Sequence, residues 1–127
     1  MHSLVNQNKK YAVIGVSKNP EKYGHRVFKD LLNAGWNVYA VNPSATEVLG
    51  NKVYPKISDI NDTVDVAIFV VPPQVTFTLL NEVKDLGIKH VWLQPGSESP
   101  EAIEFCRENN IECIHDACVM IERKSNG

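Results

Sequence analysis

The residues able to do chemistry gather early in this chain. In the stretch AVIGVSKNPEKYGHRV, residues 12–27, an apolar run stops at Gly15 and a hydroxyl follows at Ser17. An Asn19-Pro20 pair comes next, then Lys22, His25 and Arg26, three side chains able to carry positive charge. That order suits an anion. A glycine at a strand end lets a ligand approach the backbone closely, and the amides beyond it, with the Ser17 hydroxyl, can form a nest ahead of a helix. Lys22, His25 and Arg26 stand at i, i+3, i+4 and share a face if the helix has begun at Lys22. Cations in a first helical turn oppose the helix dipole by about 0.3–1 kcal/mol each, and a bound phosphate reverses that sign. The bland alternative is a turn at Asn19-Pro20 with solvated basic side chains.

Later loops add to the pattern. The segment FVVPPQVTF places Pro72 and Pro73 after a strand-like run, where their flat rings and missing amide hydrogens suit the wall of an adenine slot or simply stop the strand. In WLQPGSESP, Gln94 offers both hydrogen-bond senses and Gly96 allows close approach, while Trp92 lies inside the strand and reads as core. A nicotinamide dinucleotide is disfavoured. The G-x-G-x-x-G pattern is absent after Gly15, and the second strand ends in Asn42 and Pro43 without the acidic residue that a ribose diol requires.

The elements that must position these loops follow from hydrophobic patterning. YAVIGV (11–16), NVYAV (37–41), VDVAIFVV (64–71), KHVWL (89–93) and IECIH (111–115) are continuous apolar runs, as strands covered on both faces read. Between them, residues 25–35 place Val27, Phe28, Leu31 and Leu32 on one helical face and stop at Gly35. Residues 74–87 repeat the pattern with Val75, Leu79, Val83 and Leu86, stopping at Gly87, and a third helix opens with Ser99 as N-cap and Pro100 behind it. Residues 43–63 are irregular, with ISDIND a short helix. Alternation of this kind predicts an α/β, Rossmann-like, doubly wound sheet of five mainly parallel strands with helices on both faces, three layers in all. Ligands of such sheets sit beyond the carboxyl ends of the strands, where the strand order reverses. The loops at 15–24, 42–46, 72–75, 94–98 and 116–120 meet there.

Bulk properties exclude several classes. The 127 residues suit one domain, read as 10–122 with loose ends at 1–9 and 123–127, and a net charge of −2 gives no footprint for nucleic acid or an anionic membrane. No apolar run approaches a membrane span, and the N-terminus lacks the apolar centre of a signal peptide. Cys106, Cys113 and Cys118 read as reduced thiols in a cytoplasmic protein, with no metal-ligand spacing.

Taken together, GVSKNPEKYG, VNP, VPP, WLQPG and the late DACVMIE resemble the stand-alone CoA-binding proteins of the CoA-binding domain superfamily, over about residues 10–122. Their fold is that of the N-terminal domain of the succinyl-CoA synthetase alpha subunit. The resemblance implies that Gly15, Val16, Ser17 and Asn19 line the pyrophosphate of coenzyme A, with Lys22 and Tyr23 closing over it. It implies that Asn42 and Pro43 border the adenosine opposite Val71, Pro72 and Pro73, that Gln94 and Gly96 meet the pantetheine arm, and that Cys118 lies towards the thiol end. One departure is clear: the synthetase subunit has a CoA-contacting lysine shortly after its second strand, and this chain has Ser44 and Ala45 there.

The synthetase chemistry does not transfer, because it uses a phosphohistidine on a following domain. Of the histidines, His2 is in the tail, His90 precedes a strand, His25 fits an anion contact, and His115 is followed by Asp116, an adjacency that does not make a catalytic dyad. The expected function is therefore a non-catalytic CoA or acyl-CoA carrier, buffer or sensor, with a protein partner or homo-oligomer left open. The alternatives are a nucleotide-dependent enzyme with an unconventional Rossmann site (an NAD(P)-type oxidoreductase or acyl-CoA transferase subunit) and a partner-binding scaffold. Cys118 adds a thiol-linked form of CoA: a helix beginning near Val119 would lower its pKa, Asp116 would raise it, and a buried apolar cysteine is the plain alternative.

Overall fold

The computed structural model describes residues 8–126. The expected lead-in over residues 1–7, with His2, and the terminal Gly127 lie outside the described residues. The first strand, β1 (Lys10–Ile14), is central, and every residue from Tyr11 to Ile14 is buried. It pairs in parallel with β2 (Asn37–Val41) on one side and with β5 (Val66–Phe69) on the other. β6 (His90–Leu93) and β7 (Glu112–Ile114) continue the sheet beyond β5, all in parallel.

Among the described residues the sheet has seven strands, not the expected five. The extra pair, β3 (Glu47–Val48) and β4 (Asn51–Tyr54), lies in the stretch read as irregular, giving the order β3-β4-β2-β1-β5-β6-β7. β4 runs parallel to β2 through two register pairs, Ala40↔Val53 and Val41↔Tyr54, and β3 folds back antiparallel across Leu49-Gly50. Both turn residues hold positive φ, 52° and 75°. Strands this short bury only Val48 and Val53, so they leave almost no periodic signal. A single 3₁₀ turn at Ile57–Asp59 occupies the ISDIND segment.

Among the described residues, four helices cover the two faces. α1 (Tyr23–Asn33) and α4 (Val119–Asn126) lie on one side, where Val27, Phe28 and Leu31 meet Tyr11, Val13 and Trp92. α2 (Pro73–Asp85) and α3 (Pro100–Glu108) lie on the other, where Leu80, Val83 and Cys106 meet Ile14, Phe69 and Leu93. Each such large apolar side chain contributes about 1.5–3 kcal/mol on burial. Ser99 caps α3 by accepting the Ala102 N–H at 3.1 Å. A two-pronged ion pair from Arg123 to Asp30, 2.8 and 2.9 Å, ties α4 to α1. α4 thus continues to Asn126, through residues read as a loose end.

Sequence order reverses at β1. The chain leaves it for β2 on one flank and returns to β5 on the other, so the carboxyl ends of β1 and β5 diverge into a crevice. Two glycines set its depth. Gly15 ends β1 with φ +105°, and a Cβ there would lie 2.3 Å from the Val70 carbonyl oxygen. Gly24, in the first turn of α1, sits against Gly15 so closely that a Cβ would come within 2.0 Å of its carbonyl oxygen. Neither obstacle is a movable side chain.

Gly24→Ala should therefore cost about 1–3 kcal/mol, the usual penalty for forcing atoms into a packed site. Gly35→Ala is the control: nothing lies within 4 Å of its Cβ, and only its φ of +82° is strained. Denaturant melts of the two variants should rank Gly24→Ala as the more destabilised. The opposite ranking would mean that α1 slides off β1 at little cost.

Candidate functional site

Between Gly15 and α1 the backbone is braced by its own side chains. Ser17 Oγ accepts the Asn19 N–H at 3.0 Å, and Asn19 Oδ1 accepts the Glu21 N–H at 3.0 Å. These are consecutive side-chain-to-backbone turns, which Ser and Asn form readily. The expected trio of cations does not assemble. His25 is buried, and its Nδ1–H donates to the Ser17 carbonyl at 2.8 Å, so it fastens the loop to α1 instead of facing an anion. Arg26 points to solvent. Lys22 sits just before α1 with extended backbone (φ −78°, ψ 144°), outside the helix proper.

Two adjoining hollows open beyond β1 and β5. The first, about 620 Å³, is lined by Ser17, Lys22, Tyr23, Pro73, Gly96 and Ser97. The second, about 490 Å³, is lined by Ile14, Asn42, Pro43, Pro55, Lys56 and Val75, with Leu79 at its side. Gly15, Val70, Val71 and Pro72 line both, forming a shared floor. The first hollow carries the hydroxyls of Ser17, Tyr23 and Ser97 and the cation of Lys22 among apolar walls, and the second is a more apolar slot with Asn42 and Lys56 in its lining. Such volumes are those of small-molecule sites. A further hollow of about 550 Å³, lined by Ile57, Asp62 and Gly87, opens at the amino ends of β5 and β6, with no cation in its lining among the described residues.

Hydrogen bonds between loops hold this mouth in place. Asn42 Nδ2 donates to the Val16 carbonyl at 2.6 Å while its Oδ1 accepts the Ser44 N–H at 2.8 Å, joining the loops after β1 and β2. Ser97 Oγ accepts the Val71 N–H at 3.0 Å and joins the loops after β5 and β6.

Behind Tyr23 lies a thiol. Tyr23 Oη is 3.0 Å from Cys118 Sγ, and the Gln94 amide donates to Tyr23 Oη at 2.8 Å and to Cys118 Sγ at 3.5 Å. Gln94 is wholly buried, and its Oε1 accepts the Val119 N–H at the start of α4, 2.8 Å. Burial pushes the Cys118 thiol up, but the Tyr23 hydroxyl, the Gln94 amide and the N–H groups of Ile121 and Met120 outweigh it and hold the thiol below its ordinary value. Burial and the adjacent Cys118 push the Tyr23 hydroxyl up. The two shifts agree: the sulfur ionises first and the phenol stays protonated to donate. Asp116, expected to oppose this, bonds His115 Nδ1 at 2.7 Å with its side chain largely in solvent, and does not contribute to the Cys118 shift. Cys106 and Cys113 belong to the α2–α3 core, and all three cysteines are free.

Of the residues singled out from sequence, Gly15, Ser17, Lys22, Tyr23, Val71, Pro72, Pro73 and Gly96 line the first hollow, and Asn42 and Pro43 the second. Val16 is buried in the core, Asn19 braces the loop, and Gln94 and Cys118 stand behind Tyr23. Sequence reasoning missed Gly24, Ser97, Pro55 and Lys56. Pro55 and Lys56 follow β4, a strand that itself went unread. Trp92 is core, as expected, with its Nε1–H donated to the Ala117 carbonyl at 2.8 Å. Among the described residues no helix could span a membrane and no His, Cys, Asp or Glu cluster could hold a metal.

Comparison with known proteins gives consistent findings. A family model described as a CoA binding domain matches residues 9–124. Subunit alpha of an ADP-forming acetate–CoA ligase (II) of Pyrococcus furiosus is 35% identical over 121 residues, covering 87% of this chain and 26% of the subunit. The chain thus spans about a quarter of that relative. The uncharacterized protein YneT of Bacillus subtilis is 25% identical over 118 residues, 93% of this chain and 87% of YneT. A solved structure of a conserved hypothetical protein from Pyrococcus furiosus superposes with TM-score 0.87 at 41% identity, covering 90% of this chain and 98% of the other.

The thiol geometry predicts a pH profile. Alkylation of Cys118 by iodoacetamide should reach its half-maximal rate below the ordinary cysteine range, because only the thiolate reacts. Tyr23→Phe removes the hydroxyl donor and should move that midpoint upward. Peptide mapping after alkylation isolates Cys118 from the core cysteines. An unchanged midpoint in Tyr23→Phe would show that the phenol does not hold the sulfur.

Proposed function

The chain belongs to the CoA binding domain family, and from that premise we propose that it binds coenzyme A or acyl-CoA in the paired hollows as a carrier, buffer or sensor. The observation that carries this reading is the sharing of one floor, Gly15, Val70, Val71 and Pro72, by a hollow bearing Lys22 and three hydroxyls and a more apolar slot. A ligand that is anionic in its middle and aromatic at one end matches that division. The pyrophosphate takes the end with Ser17 and Lys22, where the backbone at Gly15 allows close approach. The adenine takes the slot walled by Pro43, Pro72 and Val75. The pantetheine arm runs past Gly96 towards Tyr23, and the ligand thiol comes to lie near Cys118.

In a finer form of this proposal, Cys118 exchanges with CoA disulfide. The Cys118 thiolate attacks one sulfur of the CoA–CoA bond, a Cys118–CoA disulfide forms, and one CoA leaves as thiolate and takes a proton from water. Tyr23, which borders the hollow and donates to the sulfur, governs access to it.

Three measurements test the proposal. CoA or acetyl-CoA should raise the melting temperature while NAD and NADP at equal concentration do not, since a ligand that binds only the folded state stabilises it. Equal shifts would sink the assignment. The double variant Ser17→Ala, Lys22→Ala should lose about 1–3 kcal/mol of CoA binding by calorimetry, the scale of hydrogen bonds to charged groups. Undiminished affinity would reduce the loop to a turn. CoA disulfide should add one CoA mass that reductant removes and Cys118→Ser abolishes; an adduct persisting in that variant would place the exchange elsewhere.

A further inference from the structure

The apolar slot contains a feature that its shape does not require. Lys56 is the only charged residue in its lining among the described residues. Among the described residues, no hydrogen bond or ion pair engages its ammonium. The carboxylate nearest in sequence, Asp59, accepts the Lys56 backbone N–H at 3.2 Å, so it is committed to the turn at Ile57–Asp59. Nearby in sequence, Lys52 lies over the Tyr54 ring at 4.8 Å, whereas Lys56 is exposed and lines the slot. An exposed lysine without a partner in the lining of an apolar cavity suits an anion attached to an aromatic group.

Resting on the CoA reading above, we propose that Lys56 contacts the 3′-phosphate of the CoA ribose and makes the site prefer nucleotides that carry it. Coenzyme A has two separate anionic centres, the pyrophosphate and the ribose 3′-phosphate, on either side of one ribose. The two hollows present two separate lysines, Lys22 on one and Lys56 on the other, across the floor at Gly15 and Val71. With adenine in the slot and pyrophosphate at Lys22, the ribose lies over that floor. Its 3′-phosphate is then the anion presented on the slot side, where Lys56 is the available cation. Lys22 anchors any adenosine diphosphate of this shape; Lys56 distinguishes among them.

Dephospho-CoA, which lacks only the 3′-phosphate, isolates this contact. By calorimetry at low salt, the unaltered protein should bind CoA about five- to tenfold more tightly than dephospho-CoA, the range of a partly solvated ion pair. Lys56→Gln should remove that preference by weakening CoA alone and leaving dephospho-CoA unchanged. Lys22→Gln should weaken both ligands and retain the preference. Rising salt should narrow the gap between the two ligands in the unaltered protein. A preference that survives Lys56→Gln, or an equal loss for both ligands in that variant, would overturn the role of Lys56 and leave the CoA reading intact. Tight and equal binding of both ligands to the unaltered protein would do the same. Failure of CoA itself to bind would overturn the CoA reading and this one with it.

Discussion

The contact of Gly24 on Gly15 is the constraint from which the rest of this structure follows. Two backbones meet where side chains would ordinarily keep a helix and a strand apart, with 2.0 Å separating a notional Gly24 Cβ from the Gly15 carbonyl oxygen. Because of it, α1 begins against the carboxyl end of the central strand. The loop between them is closed on itself, and its polar groups are drawn into fixed positions: Ser17 and Asn19 into turns, His25 onto the Ser17 carbonyl. In dinucleotide-binding sheets the last glycine of the fingerprint serves the same close packing of helix on strand. Here it comes nine positions after Gly15, and no pattern with shorter spacing reveals it.

Charge and apolar surface are divided with some economy around that contact. The net charge is only −2, and long-range attraction for an anion is slight, so what matters is where single cations stand. Lys22 and Lys56 reach different hollows over one floor. Arg123, by contrast, is spent on Asp30, and Lys10 on Asp62. Those two paired cations stitch elements together, whereas Lys22 and Lys56 border the cleft.

Cys118 shows the same logic applied to a single atom. The sulfur is half-buried, which alone would keep it protonated, yet a phenol, a buried amide and the first N–H groups of α4 all turn towards it. Gln94 is the pivot. Its amide spans Tyr23 and the sulfur while its carbonyl oxygen takes the Val119 N–H, so one fully buried side chain links α1, β6 and α4. A buried amide with every polar atom engaged stiffens its surroundings; half engaged, it would destabilise them.

The chain's own sequence determines the class of fold and the loops that face the cleft. Continuous apolar runs such as Val66–Phe69 and helical faces such as Val27, Phe28, Leu31 are local signals, and each is long enough to be read without its neighbours. Asn37–Val41 is a strand with the very bounds expected of it. What the tertiary structure alone decided is pairing. β3 and β4 are strands only because β2 has a free edge for Val53 and Tyr54 to join, and Lys56 reaches the slot only because β4 ends there. His25 looked like a cation for an anion and became a buried brace, since helix phase against the sheet, not spacing, selects which of Lys22, His25 and Arg26 points inward. Cys118 lies 95 residues from Tyr23. Periodicity reports which face of an element is apolar, but the hydrogen bond between those two side chains depends on how far α4 sits from α1, a distance set by the packing of both helices on the sheet.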